Sequence, residues 1–340
     1  MNPFFFLNAF LTRKLMSTVS FEKLIDSMPE QAKRYRQIEQ SDKLKEYRVL
    51  EMTVNGDNFQ SAKKNAYSNR KTKAEWLQSD EAKQEARFNE LKNDADIQFF
   101  LGADKTDIQR AEALDPIFTD DFRWSSFASS PWKAGFVYPT KDFQSNHTYT
   151  DELQAYNEGR NVHTQDGTLF IHTRKEHKQA PAWDNKKGMI MKDFNYTTDV
   201  INTGVPMSRD GGLVMLKAQC HGHVNHGAYL RSDKHLPYIS IFDYRNFRMY
   251  CGLRTSATNG KEWHLLEGLQ PIRDLIFTVA WNRTEIMWFI NNMLVYKTAN
   301  NMPHGEKLYL HLYSYLFAQQ RRITEGSLEV KWVRCFNIKD

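Results

Sequence analysis

Two patterns of apolar spacing divide the chain. Between residues 41 and 100 the apolar positions fall at helical steps, Leu44, Tyr47, Leu50 and Val54 in one stretch and Ala82, Ala86 and Leu91 in a second. That spacing gathers side chains on one face of a helix. Each stretch opens on Gln-Ser-Asp (Gln40-Ser41-Asp42 and Gln78-Ser79-Asp80), an offset of 38 residues. A Ser followed by acids satisfies the free amides of a first turn and suits its dipole, so Ser41 and Ser79 are expected N-caps. Two copies are too few for a solenoid, which leaves a helical hairpin or pair packed on something else. Acidic and basic residues balance across 41–100, as solvated helix faces require.

From Leu114 onward the apolar runs shorten to strand length. Gly167-Thr168-Leu169-Phe170-Ile171-His172-Thr173 is a turn followed by alternation, and 212–217, 237–242, 247–253, 275–281, 307–315 and 327–336 are further runs. Residues 285–290 and 293–296 flank Asn291-Asn292, a two-residue hairpin turn whose Asn residues tolerate positive φ. No helical block separates these strands, so a parallel sheet with crossover helices is excluded and an antiparallel two-sheet sandwich is expected.

Composition sharpens the division. Of 16 glycines only Gly56 and Gly102 precede residue 110; of eight tryptophans only Trp76 does, and every histidine lies at His147 or later. Glycine and proline punctuate turns, so the lean segment reads as helix and the rest as many short strands. The expected organisation is a helical N-terminal region over 1–110 and an all-β jelly-roll sandwich over 111–340. Aromatic residues at 13% suit a sandwich core or a stacking groove.

A net charge of +5 without a basic stripe gives no case for nucleic-acid binding, and no run is long enough for a membrane span. Cys220, Cys251 and Cys335 could form at most one bridge and are most simply buried apolar residues. The apolar Phe4–Leu11 run has its charges, Arg13 and Lys14, after it, the reverse of a secretory signal. The compartment stays open, and the Asn-x-Thr triplets at Asn146, Asn195 and Asn282 matter only in a secreted eukaryotic chain.

The motifs fall in a telling order. Asp120-Asp121-Phe122, Asn161-Val162 before 166–171, 212–217, Gly227-Ala228-Tyr229-Leu230, and Tyr238-Ile239-Ser240-Ile241-Phe242-Asp243 come first; 277–281, 286–292 and 328–334 follow. The series resembles glycoside hydrolase family 16, a concanavalin A-like jelly roll, over roughly residues 114–340. The resemblance implies a concave groove for a β-linked polysaccharide and a catalytic strand of the form Glu-x-Asp-x-x-Glu. In a strand, residues i and i+2 share a face, and a bulge returns i+5 to it. A retaining glycosidase uses two such carboxyls about 5–5.5 Å apart.

This chain departs from that strand at all three places. Tyr238 stands at the nucleophile position, Ser240 at the middle one and Asp243 at the acid/base position. A phenol is neutral near pH 7, and although sialidases use a Tyr nucleophile, Ser240 is no base to activate it. The expectation is a glycan-binding protein with hydrolysis lost or impaired, with Trp183, Tyr229, Tyr238, Tyr244 and Trp263 offering rings for sugar stacking and Ser240 a hydroxyl. The alternatives are an active divergent endo-glucanase or galactanase, with Asp243 as acid/base and Tyr238 or Asp233 in the other role, and a scaffold that docks a protein partner through its helices.

Cys220-His221-Gly222-His223-Val224-Asn225-His226 concentrates metal-ligand residue types, but its place between two strands makes a polar loop at the groove rim the better reading. No cofactor is expected, and no residue pattern signals the structural calcium that some relatives carry. The chain has no Gly-x-Ser-x-Gly elbow and no phosphate-cradling glycine loop.

Overall fold

The computed structural model describes residues 17–138, 145–234, 236–256, 261–269, 272–303, 305–318, 320 and 323–338. They form two compact units: Lys23–Glu112, and the described residues up to Glu22 together with those from Ala113 onward.

In the first unit Ser41 and Ser79 are the N-caps of Asp42–Val54 and Asp80–Lys92, accepting from the N–H of Leu44 and Ala82. The two helices pack face to face. Tyr47 stacks on Phe88 at 5.6 Å between centroids, and Arg87 grips Glu46 with two bonds of 2.9 Å. Ala86 is exposed and Phe88 fills the seam instead. A helical pair proves too small a description. Asp57–Ala66, Arg70–Trp76, Ala95–Gly102 and Lys105–Ala113 are helices too, and Asn69 and Asp94 cap the second and third of these with their side chains. Cap residues that break one helix and start the next make a string of short helices.

The second unit is a jelly-roll sandwich of two antiparallel sheets. One sheet runs in the order Met293–Ala299, Glu285–Ile290, Leu275–Asn282, Gly211–His221, Gly326–Ile338, Thr168–Thr173, Val162–Gln165, with Leu114–Asp120 also on Gly326–Ile338. The other runs Lys261–Leu266, Arg248–Arg254, Tyr238–Arg245, Asn225–Ser232, Lys307–Tyr315, Val200–Ser208, Lys133–Ala134. Between them lies the core, built by period-two alternation. Along Lys307–Tyr315, for example, Leu308, Leu310 and Leu312 point inward, leaving Tyr309, His311, Tyr313 and Tyr315 on the opposite face. The Asn291-Asn292 turn has φ of 44° and 72°, the positive values that a two-residue hairpin needs. The first turns of the Thr18–Glu39 helix dock on the first of these sheets, where Glu22 accepts from Trp332 Nε1 and pairs with Lys217, both at 2.7 Å.

The strand Tyr238–Arg245 carries the feature that positions the site. Its partner register jumps from Ser240↔Gly252 to Asp243↔Tyr250, so two residues oppose one and the strand bulges. Ile241 and Phe242 both turn into the core, where Phe242 meets Phe277 at 4.4 Å. Beside the bulge, Trp288 of the opposite sheet donates its Nε1–H to the Ser240 carbonyl at 2.7 Å. A buried carbonyl without that partner would cost about 1–3 kcal/mol.

Candidate functional site

The bulge restores the parity of the strand. Tyr238 and Ser240 face away from the core by alternation, and the extra residue brings Asp243 back to the same side. All three line one groove of about 490 Å³, together with Tyr229, Trp263, Tyr313, Tyr315, Arg231, Arg245 and Arg254. Tyr229, one strand over, stands opposite Ser240, and Trp263 pairs with Gly252 on the far side. Tyr238 sits between them, its ring 5.9 Å from Tyr229 and 6.2 Å from Trp263.

The floor of the groove is an aromatic sheet. Tyr313 and Tyr315 stack at 5.1 Å with 13° between planes, and Tyr229 meets Tyr313 edge-on at 4.6 Å. Gly227 makes this arrangement feasible: a Cβ there would lie 2.3 Å from the Tyr313 ring. Such a floor offers apolar faces and hydroxyl edges together, the mixture a pyranose ring presents in return.

Asp243 is held from two sides. The Tyr315 hydroxyl donates to its Oδ1 at 2.7 Å, and the Arg245 guanidinium lies 3.6 Å from Oδ2. Burial pushes the Tyr238 phenol above its ordinary value, against a hydrogen bond from Arg254, so the phenol is neutral at pH 7. The Ser240 hydroxyl, buried at the same wall, has no hydrogen-bond partner among the described residues.

Two of the sequence-derived candidates lie elsewhere. Tyr244 follows Asp243, so alternation turns it into the core, where it stacks on His226 at 6.4 Å. It also borders a separate cavity of about 510 Å³ with His223, Asn246 and Phe247. Trp183 is in the strand Lys178–Asp184, parallel to Thr148–Tyr149 in a small separate sheet. Trp183 is not a lining residue of the groove, whereas its neighbours Tyr149 and Asn185 are. The imidazoles of the 220–226 segment diverge and none borders the groove. His226 is buried against Ser314 at 2.7 Å, His221 turns to Glu329 at 3.3 Å, and His223 packs on Phe247. Desolvation lowers His226 to about 4.

The groove also contains residues that no motif singled out. Arg231 and Arg245 follow Tyr229 and Asp243 by two positions, a signal open to a strict period-two reading. Glu152 enters from an isolated bridge to Phe317, where no local pattern exists. Its carboxyl accepts from the Thr148 hydroxyl, Tyr149 N–H at 3.2 Å and Gln154 Nε2 at 3.1 Å. Burial nevertheless pushes it up to about 7.

No family model and no curated protein matches the sequence. Solved structures do match. SCLam, a non-specific endo-β-1,3(4)-glucanase from family GH16, superposes with a TM-score of 0.53 at 18% identity, covering 67% of this chain and 92% of that one. A mutant of SCLam co-crystallised with 1,3-β-D-cellotriosyl-glucose gives 0.53 at 17% identity, over 66% of this chain and 95% of that one. The laminarinase catalytic domain from Thermotoga maritima MSB8 gives 0.50 at 15% identity, over 67% and 98%. What the chain shares with these enzymes at such identities is the fold, a family 16-like β-sandwich.

Proposed function

We propose that the concave groove binds a β-linked polysaccharide and that hydrolysis there is lost or impaired. The observation that carries this reading is the pairing of a stacking surface with a depleted catalytic strand. Rings of Tyr229, Tyr238, Tyr313 and Trp263 border the groove, while the bulged strand presents a phenol, a hydroxyl and one carboxylate. A double displacement needs a nucleophile and an acid/base; a neutral phenol beside a Ser supplies no nucleophile. Family 16 glucanases with this fold lend the glycan its class.

The test is reducing-sugar release from laminarin, lichenan, agarose, carrageenan and xyloglucan, with Asp243→Asn in parallel. No release by either protein is expected, with binding by calorimetry in the same samples. Release that vanishes in Asp243→Asn would overturn the loss of hydrolysis.

One observation favours a second reading, a divergent hydrolase with Asp243 as acid/base. Glu152 brings a further carboxyl to the same groove, which neither Tyr238 nor Asp233 does; the latter is not a lining residue. That reading requires turnover with a bell-shaped pH profile, abolished in both Asp243→Asn and Glu152→Gln.

A further inference from the structure

Three arginines line the groove, and each is held in place by its surroundings. Arg231 is 3% exposed, with its guanidinium 4.7 Å over the Phe136 ring and 5.1 Å over Tyr138, whose hydroxyl accepts from it at 3.3 Å. Arg245 lies between the rings of Tyr250 and Trp263, at 4.5 and 4.6 Å. Arg254 stands opposite Tyr238 in the ladder and donates Nε–H to the Ser256 carbonyl at 3.2 Å. Against these three permanent cations the described lining offers the carboxyls of Asp151, Glu152 and Asp243. Asp243 is engaged by Arg245 and Tyr315, the Glu152 carboxyl accepts from Thr148, Tyr149 and Gln154, and Asp151 is the third acid, so the count of charges balances and the case rests on the placement and donor geometry of the arginines.

A neutral glucan presents hydroxyls only, and tyrosine and asparagine serve those without the desolvation that a buried guanidinium entails. A guanidinium has a planar fork of donors that matches the oxygens of a sulfate ester or a carboxylate two at a time. Clamped between rings, as Arg245 is, it has already lost much of its rotamer freedom, which lowers the entropy lost on binding. We infer that the polysaccharide this groove selects is anionic, carrying sulfate esters or uronate carboxylates that the arginines receive while its rings stack on the aromatic floor. The inference rests on the glycan-binding reading and adds the charge of the ligand to it.

Two matched pairs of oligosaccharides test it by calorimetry: a sulfated β-linked galactan against its desulfated twin, and laminarin oxidised to the uronate against untreated laminarin. The anionic member of at least one pair should bind about tenfold or more tighter, the worth of one charge-assisted contact, and which pair shows it names the group. The preference should shrink with added salt. Arg254→Gln should collapse the ratio between twins and Arg254→Lys should restore part of it. Lys175→Gln, on the exposed surface, should leave the ratio alone. Equal affinity for the twins, or a preference that survives Arg254→Gln, overturns the anionic assignment while leaving glycan binding intact. Silence toward all four ligands overturns both.

Discussion

Glu152→Gln removes one proton-binding group from the groove wall and little else. The native carboxyl is raised from the ordinary 4.5 to about 7, chiefly by burial. A raised acid means that the folded protein holds this proton more tightly than the unfolded chain. Between about pH 4.5 and 7 the unfolded chain has released it and the native state has not, so stability falls as pH rises and levels off above about 7. The gap corresponds to about 3 kcal/mol at 1.36 kcal/mol per unit. Gln at this position keeps an oxygen for Tyr149 N–H and Gln154 Nε2 and has nothing to titrate. Urea unfolding of both proteins across pH 4.5 to 8 isolates the contribution as wild type minus E152Q. That difference should decline by about 3 kcal/mol over the window and then stay flat. A difference constant with pH, or one that grows, would refute the placement of a protonated carboxyl in this wall.

Trp288→Phe deletes the indole N–H that the Ser240 carbonyl accepts and leaves a void in the core; unfolding stability should drop by about 2–4 kcal/mol. A loss below about 0.5 kcal/mol would show that the bulge does not depend on it. In Gly227→Ala the new methyl meets the Tyr313 ring, which lines the groove and must shift to admit it. Oligosaccharide affinity should fall even where thermal unfolding shows the variant folded, and unchanged affinity would contradict the placement of that ring. Cys220, Cys251 and Cys335 are buried, and desolvation raises all three thiols. A chromogenic disulfide reagent should find no fast-reacting thiol in the native protein and three in guanidinium.

Much of the sandwich is legible in the sequence because one face of each strand meets the core. The 307–315 run coincides with the strand Lys307–Tyr315, and its leucines and tyrosines separate by parity alone. The same logic extends to the groove strand. Once a bulge puts Asp243 beside Tyr238 and Ser240, Tyr244 must face inward, because alternation admits only one of two successive residues to the groove. Val200–Ser208 was hidden because Gly204 and Pro206 look like turn chemistry. They sit where its register to Lys307–Tyr315 breaks, between Asn202 and Pro206. Pro181 likewise breaks the strand signal of Lys178–Asp184; that strand belongs to a small sheet whose Thr148–Tyr149 partner is two residues long, too short to leave a pattern. Glu152 reaches the groove through a single bridge, and nothing in its own neighbourhood encodes that contact.

Central to the account is that the aromatic groove beside Asp243 holds a sugar chain. The most direct measurement is calorimetric titration of wild type and Trp263→Ala with β-linked oligosaccharides, neutral and anionic. Saturable binding of one oligosaccharide per chain, weakened about tenfold by loss of the indole face, is the predicted result. Absence of binding across the panel, or equal affinity in the two proteins, would contradict it.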